Sequence, residues 1–374
     1  MKQKILDNIK NIFGWKTHRK IIVISVDDYG SVRLNSNKSM LNMINEGLSL
    51  LSRFDRIDSL ETKDDLSMLY EALTSVKDKN GNHAVFTPFS LPCNINFEKM
   101  SENNFERYEY ELLPQTFAKL SAENPKKYEG TWGVWKEGIE KKIMVPQFHG
   151  REHFNLKIFN EKLSKKDPRL LLSLKNKSNV RLKTGYDTIK YTAAFDFEKI
   201  DENSKFENII KTGLDCFEKV FGYKSLNFNS AGGRENPIIH KYLKNSGIMY
   251  LDTPFIKKEH QGNGVFKKVF NYTGKKNHLN MTYLVRNVVF EPTKKRNFDW
   301  VDYSLKQVEA AFFWNRPAII SSHRINFCGH IDPKNRELGL DALRALLRKI
   351  VKRWPEVEFM SADKLGRTIT NNSK

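Results

Sequence analysis

The chain has 374 residues, 39% hydrophobic and 29% charged, with a formal net charge of +19. Only 20 glycines and 12 prolines rule out a low-complexity or collagen-like sequence, and the length suits one large α/β domain or two ordinary ones. The three cysteines, Cys93, Cys216 and Cys328, are far apart and form no CxxC pair, which argues for reduced thiols over a disulfide scaffold or a zinc ribbon.

The N-terminal segment, residues 1–18, is basic and amphipathic. Ile5, Leu6, Ile9, Ile12, Phe13 and Trp15 recur at near-helical spacing among Lys2, Lys4, Lys10, Lys16, Arg19 and Lys20. Such a helix either caps the following domain, 19–374, or lies on an anionic membrane surface. No apolar run is long enough to span a bilayer, and the start lacks a hydrophobic core with a small-residue cleavage site. The expected location is cytoplasmic, with peripheral contact at the inner membrane face through this segment as one option.

Short runs rich in β-branched and aromatic residues then predict strands at 21–26, 84–88, 143–148, 193–197, 225–229, 249–252, 285–290, 318–322 and 358–360. Helical patterns alternate with them. The clearest covers 335–354, where Leu340, Leu343, Leu346, Leu347, Ile350 and Val351 form one apolar stripe that Pro355 stops. Strands alternating with helices imply a mostly parallel sheet, and this number of strands in one chain fits a closed or distorted, TIM-like (β/α) barrel. Functional groups of parallel α/β folds gather at the C-terminal edge of the strands. Several predicted strands end in such groups: Asp27 and Asp28; His149, Arg151 and His153; Asp252; His323 and Arg324.

The first group, Ser25-Val26-Asp27-Asp28-Tyr29-Gly30, delivers two adjacent carboxylates. Neighbours on an extended chain point apart, so one can ligate a metal while the other reaches a metal-bound water; the pair also reads as a solvated turn or helix cap. In His149-Gly150-Arg151-Glu152-His153 two histidines stand at i and i+4, which on a helical turn puts both imidazoles on one face. They can share a metal with Asp28, or be ordinary surface histidines. His323, at the end of the 318–322 strand, can hold a proton for a leaving group or bond a main-chain carbonyl.

The first group resembles the Thr-Phe-Asp-Asp-Gly motif of the polysaccharide deacetylases, the NodB-homology or carbohydrate esterase family 4 proteins. His149 to His153 is similar to the family's His-Ser/Thr-x-x-His motif, and Ile320-Ser321-Ser322-His323 resembles its late Leu-x-His. YdjC-like carbohydrate deacetylases share a similar start. The resemblance implies a distorted (β/α)7 barrel and a hydrolase that removes an N-acetyl or O-acetyl group from a sugar. It makes Asp27 the catalytic base, His323 the catalytic acid, and Asp28, His149 and His153 the ligands of one divalent ion, zinc first, with cobalt, nickel or manganese as alternatives. The implied partner is an acetylated amino sugar or glycan, free, nucleotide-linked or lipid-linked.

The chain departs from the family in three respects. A long stretch separates the first two motifs, so residues 89–142 are expected to form an insertion that shapes the substrate cleft. The family's Arg-x-Pro-Tyr motif has no clean counterpart; Arg234, in Ser230-Ala231-Gly232-Gly233-Arg234, is a loose candidate for the arginine that orients the base. Asp252 matches a later acidic motif weakly, and Arg151 and Arg324 are further candidates for binding or orienting substrate. Tyr29, Trp132, Trp135 and Phe327 read as core residues before sugar-stacking ones.

Rival readings have less support. High positive charge with 25 Phe, 13 Tyr and 6 Trp suits a nucleic-acid binder, yet no recognition motif accompanies it, and no nucleic acid is expected. Two histidines and one carboxylate also hold iron in non-haem Fe(II) oxygenases, which have no need of a second carboxylate beside the ligand. A degenerate barrel that binds an anionic glycan without cleaving it has no need of the intact set of five.

Overall fold

Ile21, Ile22, Val23 and Ile24 are apolar on both faces, and a strand of that kind is stable only when covered on both sides. They begin the central strand β1 (Lys20–Tyr29), which is buried from Ile21 onwards. The structure, a computed structural model, describes residues 2–50, 52–295 and 297–371. The other strands of the main sheet are β2 (Phe86–Ser90), β3 (Gln147–Phe148), β4 (Asn227–Phe228), β5 (Tyr250–Pro254), β6 (Thr282–Arg286), β7 (Val288–Val289), β8 (Ala318–His323) and β9 (Val357–Met360). Eight of them form one parallel path in the order β6-β5-β4-β3-β2-β1-β8-β7. β9 pairs with the lower half of β1, from Lys20↔Val357 to Val23↔Met360, while β2 pairs with its upper half.

The two ends of this path are consecutive in the chain. Only Asn287 separates β6 from β7, so the sheet is a nearly closed α/β barrel with its seam at that residue. The Asn287 side chain bridges the seam: Nδ2 donates to Pro317 O at 2.9 Å, and Oδ1 accepts from Ile319 N at 2.8 Å. Counting the interrupted run as one strand gives seven positions around the ring.

The predicted helix at 335–354 is observed as Pro333–Arg353, capped by Asp332, with Leu340, Leu343, Leu346, Leu347 and Ile350 buried. Pro at the first turn and an aspartate cap place its start, because neither an N–H nor an uncapped donor is then left over. Among the described residues no helix is long and apolar enough to cross a membrane.

Four expected strands differ, the 225–229 run being reduced to the two residues of β4. The 143–148 run shortens to β3, with Met144 making only an isolated bridge to Phe86. The 285–290 run breaks at Asn287. The 193–197 run is not a strand at all: Asn155 Nδ2 donates to Ala193 O (3.3 Å) and Asp196 O (2.6 Å), and Asp196 accepts from Lys190 N at 2.9 Å. Side chains thereby take the backbone groups a ladder would use. Phe195 and Phe197 are buried without belonging to a sheet.

Residues 89–142 form an antiparallel pair, Cys93–Ile95 with Tyr110–Leu112, and helices including Leu113–Glu123 and Thr131–Glu140. Trp135 is fully buried, meets Tyr29 edge-on at 5.9 Å and donates from Nε1 to Glu61 at 3.0 Å. Tyr29 and Phe327 are buried as well, and Trp132 stacks on Phe117.

Candidate metal centre

The site begins with an irregularity in β1. Its register with β2 runs from Ile24↔Phe86 to Val26↔Pro88 and then skips to Tyr29↔Ser90, so β1 holds one extra residue there. This is a β-bulge. Asp28 takes φ +78°, in the left-handed region that aspartate tolerates better than most residues. Gly30 follows at φ +82°, and a Cβ there would lie 2.5 Å from Leu91 O. A regular strand would send Asp27 and Asp28 to opposite faces; the bulge lets both line one cavity of about 580 Å³.

Asp28 Oδ1 lies 2.8 Å from His153 Nε2 and 3.4 Å from His149 Nε2. One ligand atom from each of the three lies within 4.8 Å of the others. His149 Nδ1 sits 2.8 Å from Asn229 O, and since a carbonyl only accepts, Nδ1 carries the proton. The lone pair of Nε2 therefore faces Asp28, and this buried nitrogen has no hydrogen-bond partner. Such second-sphere fixing of the tautomer is characteristic of imidazoles that bind metal. Two nitrogens and one carboxylate oxygen suit a borderline divalent ion such as Zn²⁺ and leave room for further ligands. Burial favours the protonated form of Asp28, but His153, at 2.8 Å, outweighs it and holds the carboxyl well below its usual range.

The two histidines are not on a helical turn, as their spacing suggested. Gly150, at φ +149°, keeps the loop irregular, and the next helix, Leu156–Ser164, starts only after His153. The rings still meet, with centroids 5.2 Å apart.

Asp27 has a different environment. Arg286, the last residue of β6, grips it with both ends of its fork, Nη1 to Oδ2 at 2.7 Å and Nη2 to Oδ1 at 2.8 Å. Arg286 Nε donates to Asp252 Oδ1 at 3.2 Å, and Asp252 also accepts from Asn227 Nδ2 at 3.2 Å and Ser25 Oγ at 3.3 Å. Burial pushes the Asp27 carboxyl up, yet the guanidinium more than offsets this and holds it below the ordinary value. Asp252, deeper, is pushed up by its burial.

His323 completes the cavity wall. Its Nδ1 lies 2.5 Å from Glu291 Oε1 and its Nε2 3.9 Å from Asp27 Oδ2. Burial disfavours the charged ring, but Glu291, Asp28 and Asp27 together push its pKa up to about 10. Glu291 is held in turn by Asn326, whose Nδ2 donates to Oε2 at 2.9 Å. About one third of the His323 side chain is exposed at the mouth.

Asp27, Asp28, His149, His153 and His323 thus share one cavity. The weaker candidates lie elsewhere. Arg234 donates to Thr188 O at 2.9 Å and stacks over Phe266, and the arginine on Asp27 is Arg286 instead. Arg151 binds Glu152 and Thr212 and covers Tyr110. Arg324 is buried against Asp58, Glu61 and Ser31 O, tying the segment after β1 to the end of β8. Asp252 reaches the site only through Arg286. Among the described residues none of 89–142 lines the cavity, so the expected role of that stretch in shaping the cleft is corrected. The remaining walls come from 31–58, 181–192, the loop 229–233 and the ends of β5, β7 and β8, with Arg33 and Arg181 among them.

Arg286 and Glu291 were not found from the sequence. Arg286 lies near the start of the strand expected at 285–290 and Glu291 just past its end, and a charge at each end of an otherwise largely apolar run was the available signal.

No protein-family model matches the sequence, and no curated protein does. Solved polysaccharide deacetylases are among its structural neighbours. The "putative polysaccharide deacetylase" of Mycobacterium smegmatis is 10% identical with a TM-score of 0.45, over 96% of this chain and 94% of that one. A "putative glycoside hydrolase/deacetylase" from Parabacteroides distasonis is 11% identical with a TM-score of 0.48, over 96% of this chain and 72% of that one. The 4-alpha-glucanotransferase of Thermococcus litoralis is 9% identical with a TM-score of 0.46, over 93% of this chain and 40% of that one. Likeness at this level leaves the reaction to be argued from the site itself.

Proposed function

We propose that the protein is a metal-dependent hydrolase that removes an acetyl group, the N-acetyl of an amino sugar first, from a glycan or glycan precursor. One observation carries this reading: a His-His-Asp ligand set shares a cavity with a second carboxylate locked by an arginine and a histidine locked by a glutamate. Asp28, His149 and His153 would hold one divalent ion, zinc first and cobalt, nickel or manganese as alternatives. Such an ion polarises an acyl carbonyl and acidifies a bound water.

The chain's own groups supply the proton transfers. Asp27, kept ionised by Arg286, accepts a proton from the attacking water as the new C–O bond forms. His323, charged at neutral pH and aimed by Glu291, donates its Nε2 proton to the departing amine nitrogen as the C–N bond breaks. Acetate and a free amino sugar are the products. Each transfer is worth ~10²- to 10⁴-fold in rate. Arg181, exposed in the cavity wall, favours a substrate with an anionic portion, such as a sugar linked to a nucleotide or lipid diphosphate, while Arg33 is paired with Asp55 at 3.5 Å. The reading includes action in the cytoplasm, consistent with three free cysteines.

The test is metal content and acetate release, measured on protein purified without chelator and on His149→Ala. Stoichiometric metal and acetate release in the parent, both lost in the variant with its circular dichroism unchanged, are expected. Hydrolysis that persists without metal would overturn the reading.

A further inference from the structure

The helix Lys2–Ile12 sits on the barrel the opposite way round from an ordinary surface helix. Its polar side faces inward. Asn11 is buried and accepts from Asn287 Nδ2 at 2.8 Å, at the barrel seam. Arg316 donates to the main-chain oxygens of Asn11 (3.0 Å) and Ile12 (2.6 Å), Trp314 Nε1 donates to Asn8 Oδ1 (2.9 Å), and Lys10 Nζ donates to Gln307 Oε1 (3.0 Å). These tethers fix the helix in rotation. The apolar stripe a surface helix normally buries is therefore turned outward. Leu6 is 56% exposed and Phe13 65%, and Ile5, Ile9 and Ile12 are exposed as well.

The stripe continues beyond the helix. Phe13 meets Tyr272, ring centroids 6.4 Å apart, and Tyr272 lies just past the exposed Phe270 at the end of an antiparallel hairpin, Ile256–His260 with Phe266–Phe270. In that hairpin Ile256 lies opposite Phe270 and Lys258 opposite Lys268. The twofold alternation of a strand puts both pairs on one face, and all four residues are exposed. Like charges directly opposite one another destabilise a strand pair, a cost that an anion laid against them removes. Lys16, just after the helix, is exposed too. On the other flank of the helix the acidic groups Asp302 and Glu309 are already paired with Lys306 and Arg353.

We propose that this face docks on the surface of a lipid bilayer that contains anionic lipid. Ile5, Leu6, Ile9, Ile12, Phe13 and Phe270 enter the acyl boundary, and Lys258, Lys268 and Lys16 meet the headgroups. An apolar stripe rimmed by lysines fits that interface. It fits a second copy less well, because a two-fold contact presents the same patch to itself, and the residues assigned to it include three lysines and no carboxylate to pair with them. The docking does not depend on the reaction proposed above.

The experiment is co-sedimentation of the full chain with vesicles of phosphatidylglycerol and phosphatidylethanolamine, and with vesicles of phosphatidylcholine alone. Binding to the first and not the second is expected, falling about tenfold or more in Ile9→Glu/Phe13→Glu. Lys258→Gln/Lys268→Gln reduces it several-fold, as does added salt. These residues lie outside the cavity, and the circular dichroism and thermal midpoint of the variants, expected at the parent level, report that they are folded. If the helix variant fails to fold, the lysine variant alone decides. Absence of binding to anionic vesicles, equal binding to neutral ones, or variants that bind as the parent does would overturn the proposal. So would a dimer in solution that Ile9→Glu/Phe13→Glu converts to monomer.

Discussion

Asp27 and Asp28 are neighbours on one bulge, both buried, yet their surroundings have opposite chemistry. Asp27 faces a guanidinium, a permanent cation that cannot give up its charge, whereas Asp28 faces two imidazoles whose nitrogens can shed protons and offer lone pairs. A fixed cation keeps a carboxylate ionised and oriented without itself binding a metal. Paired imidazoles instead make a carboxylate one member of a ligand set. On the proposed reading, the bulge separates a proton-handling half from a metal-holding half within two consecutive residues.

The largest expected effect breaks the comparison directly. Asp28→Asn removes the anionic ligand, and both bound metal and acetate release fall to background. Asp27→Asn keeps the metal and lowers kcat by ~10²- to 10⁴-fold. Metal analysis beside steady-state kinetics distinguishes the two. Equal metal loss in both variants would show that the two carboxylates are not divided in role.

Arg286→Ala comes next. It leaves Asp27 and Asp252 buried beside each other without their shared cation, and removal of one partner of a buried ion pair costs about 3 to 5 kcal/mol. The lower end is expected, since Asp27 opens on the cavity. Chemical denaturation measures the loss. With the guanidinium gone, the Asp27 carboxyl titrates higher, so the acid limb of kcat/KM moves to higher pH. Arg286→Lys, which keeps the charge and loses the fork, falls between the parent and the alanine variant on both measures.

The five side chains that share the cavity were legible in the sequence, and the two charged partners that fix Asp27 and His323, Arg286 and Glu291, were not. β1 and β8 could be recognised from β-branched runs that have no exposed face, and Asp28, His149, His153 and His323 from their position at strand ends. The bulge was not readable, because alternation of faces assumes a regular strand. Arg286 was hidden for a topological reason: it contacts Asp27 only because β6, far along the chain, returns beside β8 when the ring closes at Asn287. Arg234 follows the predicted 225–229 strand and so looked better placed. Its partners, Thr188 and Asp196, belong to a stretch expected to be partly strand, whose backbone is in fact tied up by Asn155 and Asp196.

Glu291→Gln sharpens the proton-donor side. The parent's His323 is charged up to a pKa of about 10, against an ordinary value of 6.5. Without the Glu291 charge that pKa falls toward the ordinary one. The charged ring is the donor, so the alkaline limb of kcat/KM moves to lower pH. Activity is nearly unchanged near pH 6 and reduced several-fold by pH 8 to 9, about the ratio set by a shift of one pKa unit or more. An alkaline limb that stays in place would mean that another group gives up the proton.

The smallest effect is the one that separates the two arginines. Arg234→Gln loses a bond to Thr188 O, an ion pair with Asp196 at 3.6 Å and a stacking contact with Phe266, but touches neither Asp27 nor Asp252. Charged contacts of that kind at a largely buried position are worth about 1.5 to 3 kcal/mol of stability, and the acid limb of kcat/KM stays where it is in the parent. Arg286→Gln moves that limb. Because the two substitutions are chemically identical, a shared shift would mean general charge loss in a basic protein, while a shift in Arg286→Gln alone requires direct contact with the base.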